Sequence, residues 1–424
     1  MRRRTLLSDG NIDYSDCFAM VVTTGGNIIW TGSTTDNTLS YSKDNGKTWT
    51  TANNGTTISV AAGDKVLWKG TPKPKSYYGI GTFSGDTNTR YSVEGNVMSL
   101  LFGDNFKGKK SLSGKTYALY DLFYDNTNVT SAKNLSLPAT TLASGCYSHM
   151  FYGCIRLTTA PELPATTLKN QIQCYLSMFE DCTSLTTAPE LPATTLSNSC
   201  YQSMFYGCTS LTTAPVLSAT TLATSCYQYM FSYCTNLTTA PALPATTLAS
   251  SCYSGMFYDC TSLTTAPELP VQTLAYQCYL RMFHNCTSLT TAPQLPATTL
   301  ASGCYNQMFN NCTSLTTAPE LPATTLASGC YNHMFHNCTS LTTAPQLPAT
   351  TLAEQCYSSM FQGCTRLSSI TCLATNISAS SCTNNWLSGV AATGTFVKAA
   401  SMTGWTTGAS GIPSGWTIEN YVAS

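Results

Sequence analysis

The sequence predicts an α+β repeat solenoid of 26-residue coils, led by an all-β domain. Three observations predict it. The equivalent cysteines Cys174, Cys200, Cys226, Cys252, Cys278, Cys304, Cys330, Cys356 and Cys382 follow one another at a constant step of 26 residues. Each unit divides into a stretch with helical apolar spacing and a Thr/Pro-rich extended stretch. Residues 1–115 show neither pattern and read as short apolar runs separated by Gly, Asn and Asp.

The first domain, residues 1–115, is expected to be β-sandwich-like. Its candidate strands are Phe18–Val22, Asn27–Trp30, Thr57–Val60, Lys65–Trp68 and Val93–Leu101. Ser42-Lys43-Asp44-Asn45-Gly46-Lys47-Thr48-Trp49 resembles the Asp-box hairpin of sialidase propeller blades. A propeller needs several copies and the chain has one, so Asp44-Asn45-Gly46 is read as a hairpin turn. At the N-terminus, three arginines precede only Leu6 and Leu7 before Ser8-Asp9-Gly10, too short an apolar run for a secretory leader. No run approaches the ~18 apolar residues of a membrane span.

Residues 116–381 are the predicted solenoid, with a unit of the form CYxxMFxxCTSLTTAPxLPATTLAxx. Cys304, Tyr305, Met308, Phe309 and Cys312 fall on one face of a helical segment. Leu315 to Pro322 alternates apolar positions and carries prolines that end a helix, so it reads as a strand. Thr324-Thr325-Leu326 makes a second extended piece. A degenerate copy with Leu122-Phe123 and no cysteine precedes the series as a cap. One coil cannot bury its Leu, Met and Phe alone, whereas a stack can. Helices pack about 8–10 Å apart and strands about 4.8 Å, so the stack is expected to curve with its strands on the concave side.

The chain holds 21 cysteines, and 18 of them pair as Cys-x7-Cys. Eight helical residues rise about 12 Å, beyond the reach of a disulfide, and helix-packed neighbours also sit too far apart. The spacing matches no common zinc motif. Two buried ladders of free thiols are expected, with no metal and no cofactor. The histidines, His149, His284, His333 and His336, fall at variable positions with no carboxylate or nucleophile in view, so they read as solvated surface.

Charge sets further limits. Charged residues make up 9% of the chain and the net charge is zero; ordinary domains carry about 25%. Such a chain lacks the field to hold a phosphate backbone, which argues against nucleic acid. Variation concentrates at the second, third, sixth and seventh residues after each first cysteine, opposite the buried stripe. The candidate ligand-binding residues there are Tyr229, Tyr233, His284, Asn306, Asn310, Asn332, His333 and His336. Tyr, Asn, Ser and His are a palette suited to adaptable recognition. A second variable column is the x of Ala-Pro-x-Leu, from Glu162 and Glu190 to Gln346. Residues 382–424 form a Trp/Gly-rich cap in which Trp386, Trp405 and Trp416 cover the last coil.

MFxxCTSLTTAPxLP resembles the AFxxCxxLxxIxIP unit of BspA-like leucine-rich-repeat surface proteins, from about Tyr117 to Ser381. Met stands for the Ala before Phe, and Ala-Pro for an Ile. The wider order, a short β domain, repeats and a Trp-rich close at Trp405–Trp416, resembles repeat proteins of phages and prophages of gut anaerobes. An invariant scaffold under a changing polar-aromatic ridge, with no secretory leader expected, points to a non-enzymatic recognition or adhesion protein, foremost a phage virion fibre or receptor-binding component. Its expected partners are a host-surface glycan or protein receptor and, through the N-terminal domain, other virion or surface-assembly proteins. A homo-oligomer is compatible with this. The alternatives are a bacterial cell-surface adhesin and, from the Asp-box alone, a glycan-acting hydrolase.

Overall fold

The computed structural model describes residues 12–34 and 37–422; the leader argument rests on residues outside that range. Contacts divide the chain into two compact units, Met1–Leu211 and Thr212–Ser424.

In the first unit, β-rich residues come first: β1 (Ala19–Thr24), β2 (Gly26–Gly32), β3 (Leu39–Ser42), β4 (Thr50–Ala52), β5 (Thr56–Val60), β6 (Lys65–Gly70), β7 (Gly81–Gly85) and β8 (Arg90–Asn96). A single helical turn, α1 (Ser99–Phe102), follows, where the sequence suggested that the strand ran on to Leu101. β9 (Val129–Ser136) belongs to the cysteine-free cap coil. One sheet runs β4-β3-β6-β1-β8-β9 and the other β5-β2-β7. Alternation along β2 and β7 turns Trp30 and Phe83 inward, their rings 4.7 Å apart, and Phe83 meets Trp68 of β6 at 4.8 Å. Asp44 closes the β3–β4 hairpin, with Asn45 and Gly46 at positive φ. The domain then runs into the repeats. β8 pairs in parallel with β9, and Phe123 touches Phe18 and Phe83 on one side and stacks on Phe151 at 5.2 Å on the other.

The repeats are not helical. Among the described residues α1 and a 3-10 turn at Gly103–Asn105 are the helices, and both lie outside the repeats. The expected helical segment is instead a run of four-residue turns. In the coil that starts at Cys304, the N–H groups of Asn306, Met308, Asn310 and Cys312 donate within the coil to carbonyls three residues back. Those of Tyr305, Gln307, Phe309 and Asn311 donate to the next coil, to Cys330, Asn332, Met334 and His336, at 2.8 to 3.0 Å. Every fourth residue must therefore take a left-handed conformation: Gly303 (φ 62°), Gln307 (56°) and Asn311 (61°), and again Gly329, His333 and Asn337. Each non-glycine residue there costs about 1–2 kcal/mol. The bonds to the next coil and the stacked rings offset that cost.

The change of element alters the spacing. Backbone bonds, not packed cylinders, join neighbouring coils, so equivalent rings lie at contact distance. Phe257, Phe283, Phe309, Phe335 and Phe361 stack at 5.6 Å with planes within 8°. A parallel ladder of buried tyrosines runs beside them, such as Tyr279–Tyr305 at 5.8 Å. The helix-wide spacing offered as the cause of curvature is absent from both units.

The Thr-rich stretch pairs as expected, but only at single parallel bridges, among them Thr239–Thr265, Thr265–Thr291 and Thr273–Thr299. The prolines of Ala-Pro-x-Leu-Pro lack the N–H groups that a longer ladder needs. A hydroxyl-to-hydroxyl bond joins Ser131 and Thr159 at 2.6 Å. Elsewhere the Thr hydroxyl donates to the carbonyl of the preceding coil, as Thr158 does to Thr130 at 2.9 Å.

In the second unit, β10 (Ser369–Cys372), β11 (Gly394–Lys398) and β12 (Trp416–Asn420) form a parallel sheet that extends the Thr ladder through Thr343–Ser369. Trp386 stacks on Tyr357 at 6.2 Å and on Trp405 at 5.3 Å, so indoles take over the tyrosine ladder where cysteine and tyrosine run out. Trp416 is also buried.

All 21 cysteines are free and buried. The helical rise invoked against a disulfide falls with the helix; a different contact engages the thiols. Within each unit second cysteines donate their S–H to the phenylalanine carbonyl of the preceding coil, as Cys182 does to Phe151 in the first and Cys286 to Phe257 and Cys312 to Phe283 in the second, at 3.1, 3.1 and 3.0 Å. Burial pushes their thiols above the ordinary range. No group of three or more His, Cys, Asp or Glu among the described residues has the arrangement to hold a metal. No helix among them is long and apolar enough to cross a membrane.

Candidate functional site

The four-residue turn decides which residues of the outer columns are free to vary. The third and seventh positions after the first cysteine are left-handed in every coil, so they carry backbone duty as well as a side chain. At the seventh this explains Asp125, Gly153, Asp181, Gly207, Asp259, Asn285, Asn311, Asn337 and Gly363, the residue types that tolerate positive φ best. Tyr233 departs from that rule and is 38% exposed. At the third position the chain accepts Tyr229, Arg281, Gln307 and His333 at φ 52° to 56°. The Tyr229 ring lies across Gly255 of the next coil, where any Cβ would collide with it.

The columns are also less exposed than a helix face would be. Asn310 is 7% exposed and Ser232 and Ser254 are fully buried, whereas His284, Asn306, Asn332, His333 and His336 are half-buried. They read as a surface strip knitted along its length rather than as solvated side chains. His284 stacks on Tyr258 at 4.6 Å with planes 4° apart, and Tyr258 meets Tyr233 at 5.6 Å. The His333 and His336 rings lie 5.5 Å apart. His333 bonds Asn332 through Nδ1, and His336 Nδ1 reaches Asn310 Oδ1 at 3.4 Å. Asn337 donates to Asn311 at 3.0 Å. Burial lowers the pKa of His284, His333 and His336, which favours neutral rings. The structure thus draws Tyr233 and His284 together through Tyr258, and Asn310, Asn332, His333 and His336 into a second knot. Tyr229 lies over Gly255 instead, and Asn306 Oδ1 has no hydrogen-bond partner among the described residues.

In the first unit a carboxylate does stand beside a histidine, contrary to the sequence reading. Asp121 of the cap coil and His149 of the next occupy the same third position, and Asp121 Oδ1 lies 3.7 Å from His149 Nδ1. Both atoms are buried and neither has a hydrogen-bond partner. Tyr120 meets the imidazole edge-on at 5.0 Å and Tyr152 at 5.8 Å, while Tyr124 stacks on Tyr152 at 4.7 Å. Burial, then the Asp125 charge, pushes the Asp121 carboxyl up to about 7, and burial pulls His149 down to about 4. Between those two values the carboxyl keeps its proton and the imidazole is neutral. Aligning the cysteine-free coil column by column would have found it; taking cysteine as the only register mark hid it.

The Asp-box carboxylate is committed to its own turn. Asp44 accepts from Ser42 Oγ at 2.7 Å, from the Thr48 N–H at 2.9 Å and from Thr48 Oγ1 at 2.6 Å, bonds that hold its pKa low.

A family model described as a BspA-type leucine-rich-repeat region matches residues 130–290 and 280–398, in six copies. That is well over half of the chain. The chain belongs to the BspA-type leucine-rich-repeat family. No curated protein matches it. In this BspA-type chain the family's signature positions, Leu, Phe, Cys and the apolar residues around the prolines, are the buried ones. The outer columns lie between them. The repeats of this family point to surface adhesion or recognition.

Proposed function

We propose that the protein is a non-enzymatic recognition or adhesion protein, in which a BspA-type solenoid scaffold presents the outer columns to a host-surface glycan or protein receptor. The observation that carries this reading is the contrast between columns. The buried Tyr, Met, Phe and Cys ladders hardly change from coil to coil, while the sixth position runs Tyr258, His284, Asn310, His336 and Gln362 in successive coils. Rings held by neighbours, as His284 is by Tyr258, lose little freedom on meeting a ligand. In this reading the protein is a virion fibre or receptor-binding component anchored by the N-terminal domain. The membership in a family linked to surface adhesion supports a second reading, a bacterial cell-surface adhesin.

Replacing Tyr233, Tyr258, His333 and His336 together by Ala tests the surface. Adsorption to host cells is expected to fall while the circular dichroism spectrum stays that of the parent. Unchanged adsorption by a folded variant contradicts the assignment. Mass spectrometry of purified phage particles and of cell envelopes separates the two locations.

A further inference from the structure

The junction between the cap coil and the first full coil holds a cleft that the repeats do not reproduce. Val129–Ala132 precedes Leu157–Ala160 by 28 residues, whereas Leu137–Leu142 precedes Leu163–Leu168 by 26. The cap coil therefore carries two extra residues between Ala132 and Ala139, and an opening lies there. The opening has a volume of about 420 Å³ and is lined by Lys110, Lys133, Asn134, Ser136, Thr140 and Glu162, with Pro138 and Pro164 as its apolar walls. A second cleft of about 350 Å³, between Pro161, Pro164, Pro189 and Glu190, shares Glu162 and Pro164 with it, so the two adjoin.

The charges in this cleft are unspent. Lys107 pairs with Asp13 at 2.5 Å, and Lys109 and Lys115 lie over the Phe102 ring at 5.1 and 4.9 Å. Lys110 and Lys133, the two that face the cleft, have no ion pair and no hydrogen bond from their ammonium groups among the described residues. Lys133 also breaks the repeat pattern: the next coils place Pro161 and Pro189 after the matching alanine. Both ammonium groups are exposed and unpaired among the described residues, so an incoming anion meets two cations that no internal partner neutralises.

The remaining groups choose the ligand class. Glu162 brings a negative charge into the same lining, so a dense polyanion such as a phosphate cluster meets more repulsion than a single carboxylate does. Asn134, Ser136 and Thr140 offer donors and acceptors for hydroxyl groups, and Glu162 accepts from them. The proline rings suit the C–H face of a pyranose. We infer that this cleft binds a carboxylated sugar, its carboxylate between Lys110 and Lys133, with the adjoining proline-walled cleft receiving the next, uncharged sugar of the chain.

This site is separate from the outer columns, so either assignment stands or falls without the other. Isothermal titration of the full chain with trigalacturonate and with sialyllactose tests the two sources of such a carboxylate, a uronic and a ulosonic acid. Trigalactose and inorganic phosphate serve as neutral and simple-anion probes. Binding of at least one acidic sugar is expected, about tenfold or more above trigalactose, and Lys110→Gln/Lys133→Gln is expected to remove that advantage. The outer-column variant described above should bind the acidic sugar as the parent does. Failure of both acidic sugars to bind, equal binding of trigalactose or phosphate, or an unaffected double variant overturns the inference.

Discussion

Gly329 distinguishes a turn from a helix by the sign of one substitution. It sits at φ 59°, and a Cβ built on it meets nothing within 4 Å, so Gly329→Ala tests backbone conformation with no clash. Alanine in the left-handed region costs about 1–2 kcal/mol. Restricting the unfolded chain returns roughly 0.4–1 kcal/mol. The net expectation is a loss of about 0.5–1 kcal/mol. In a helix the same change would stabilise by about 1 kcal/mol. The reverse change, Ser251→Gly at φ 54°, should stabilise for the same reason, reproducing what Gly303 and Gly329 already do in their coils. Urea denaturation followed by circular dichroism reads both midpoints. A stabilised Gly329→Ala together with a destabilised Ser251→Gly would refute the turn ladder.

Two other outcomes follow from the contacts. Between pH 3.8 and 7 folded Asp121 keeps a proton that the unfolded chain has released, so its share of stability falls as pH rises. Between pH 4 and 6.5 folded His149 lacks a proton that the unfolded chain holds, so its share rises with pH. The slopes oppose each other; relative to the parent, Asp121→Asn should gain stability from pH 4 to 6.5 and His149→Gln should lose it, and parallel melting curves for all three proteins would contradict the burial of these two groups. Cys312 donates to Phe283, so Cys312→Ala should cost about 1–2 kcal/mol and Cys312→Ser less. A thiol acting only as apolar filler would reverse that order, because a buried serine hydroxyl would then lack a partner.

Much of the fold was legible in the residues. Tyr305, Met308, Phe309, Cys304 and Cys312 are buried as their spacing implies, and the runs around Ile28, Ile58 and Leu67 are strands. The element type of the cysteine segment was not. Apolar positions at i, i+4 and i+8 fit a 3.6-residue helix and a four-residue turn about equally over nine residues. The distinguishing signal lay in the polar positions between them: Gly303 and Asn311, Gly329 and Asn337, poor helix residues that recur where positive φ is required. That requirement also makes part of the outer-column variation a matter of backbone rather than of binding, which the residue types alone do not reveal. The Lys110–Lys133 cleft is not legible in the repeat consensus, because it arises from a length difference between two coils.

Within each unit, neighbouring coils are bonded through their backbones along the Thr stretch and along the cysteine segment alike. Far-ultraviolet circular dichroism of the purified chain tests it most directly. A spectrum of turn and strand without the paired minima of α-helix is expected; strong helical minima would mean that the cysteine segments are wound as helices and that the ladder does not exist.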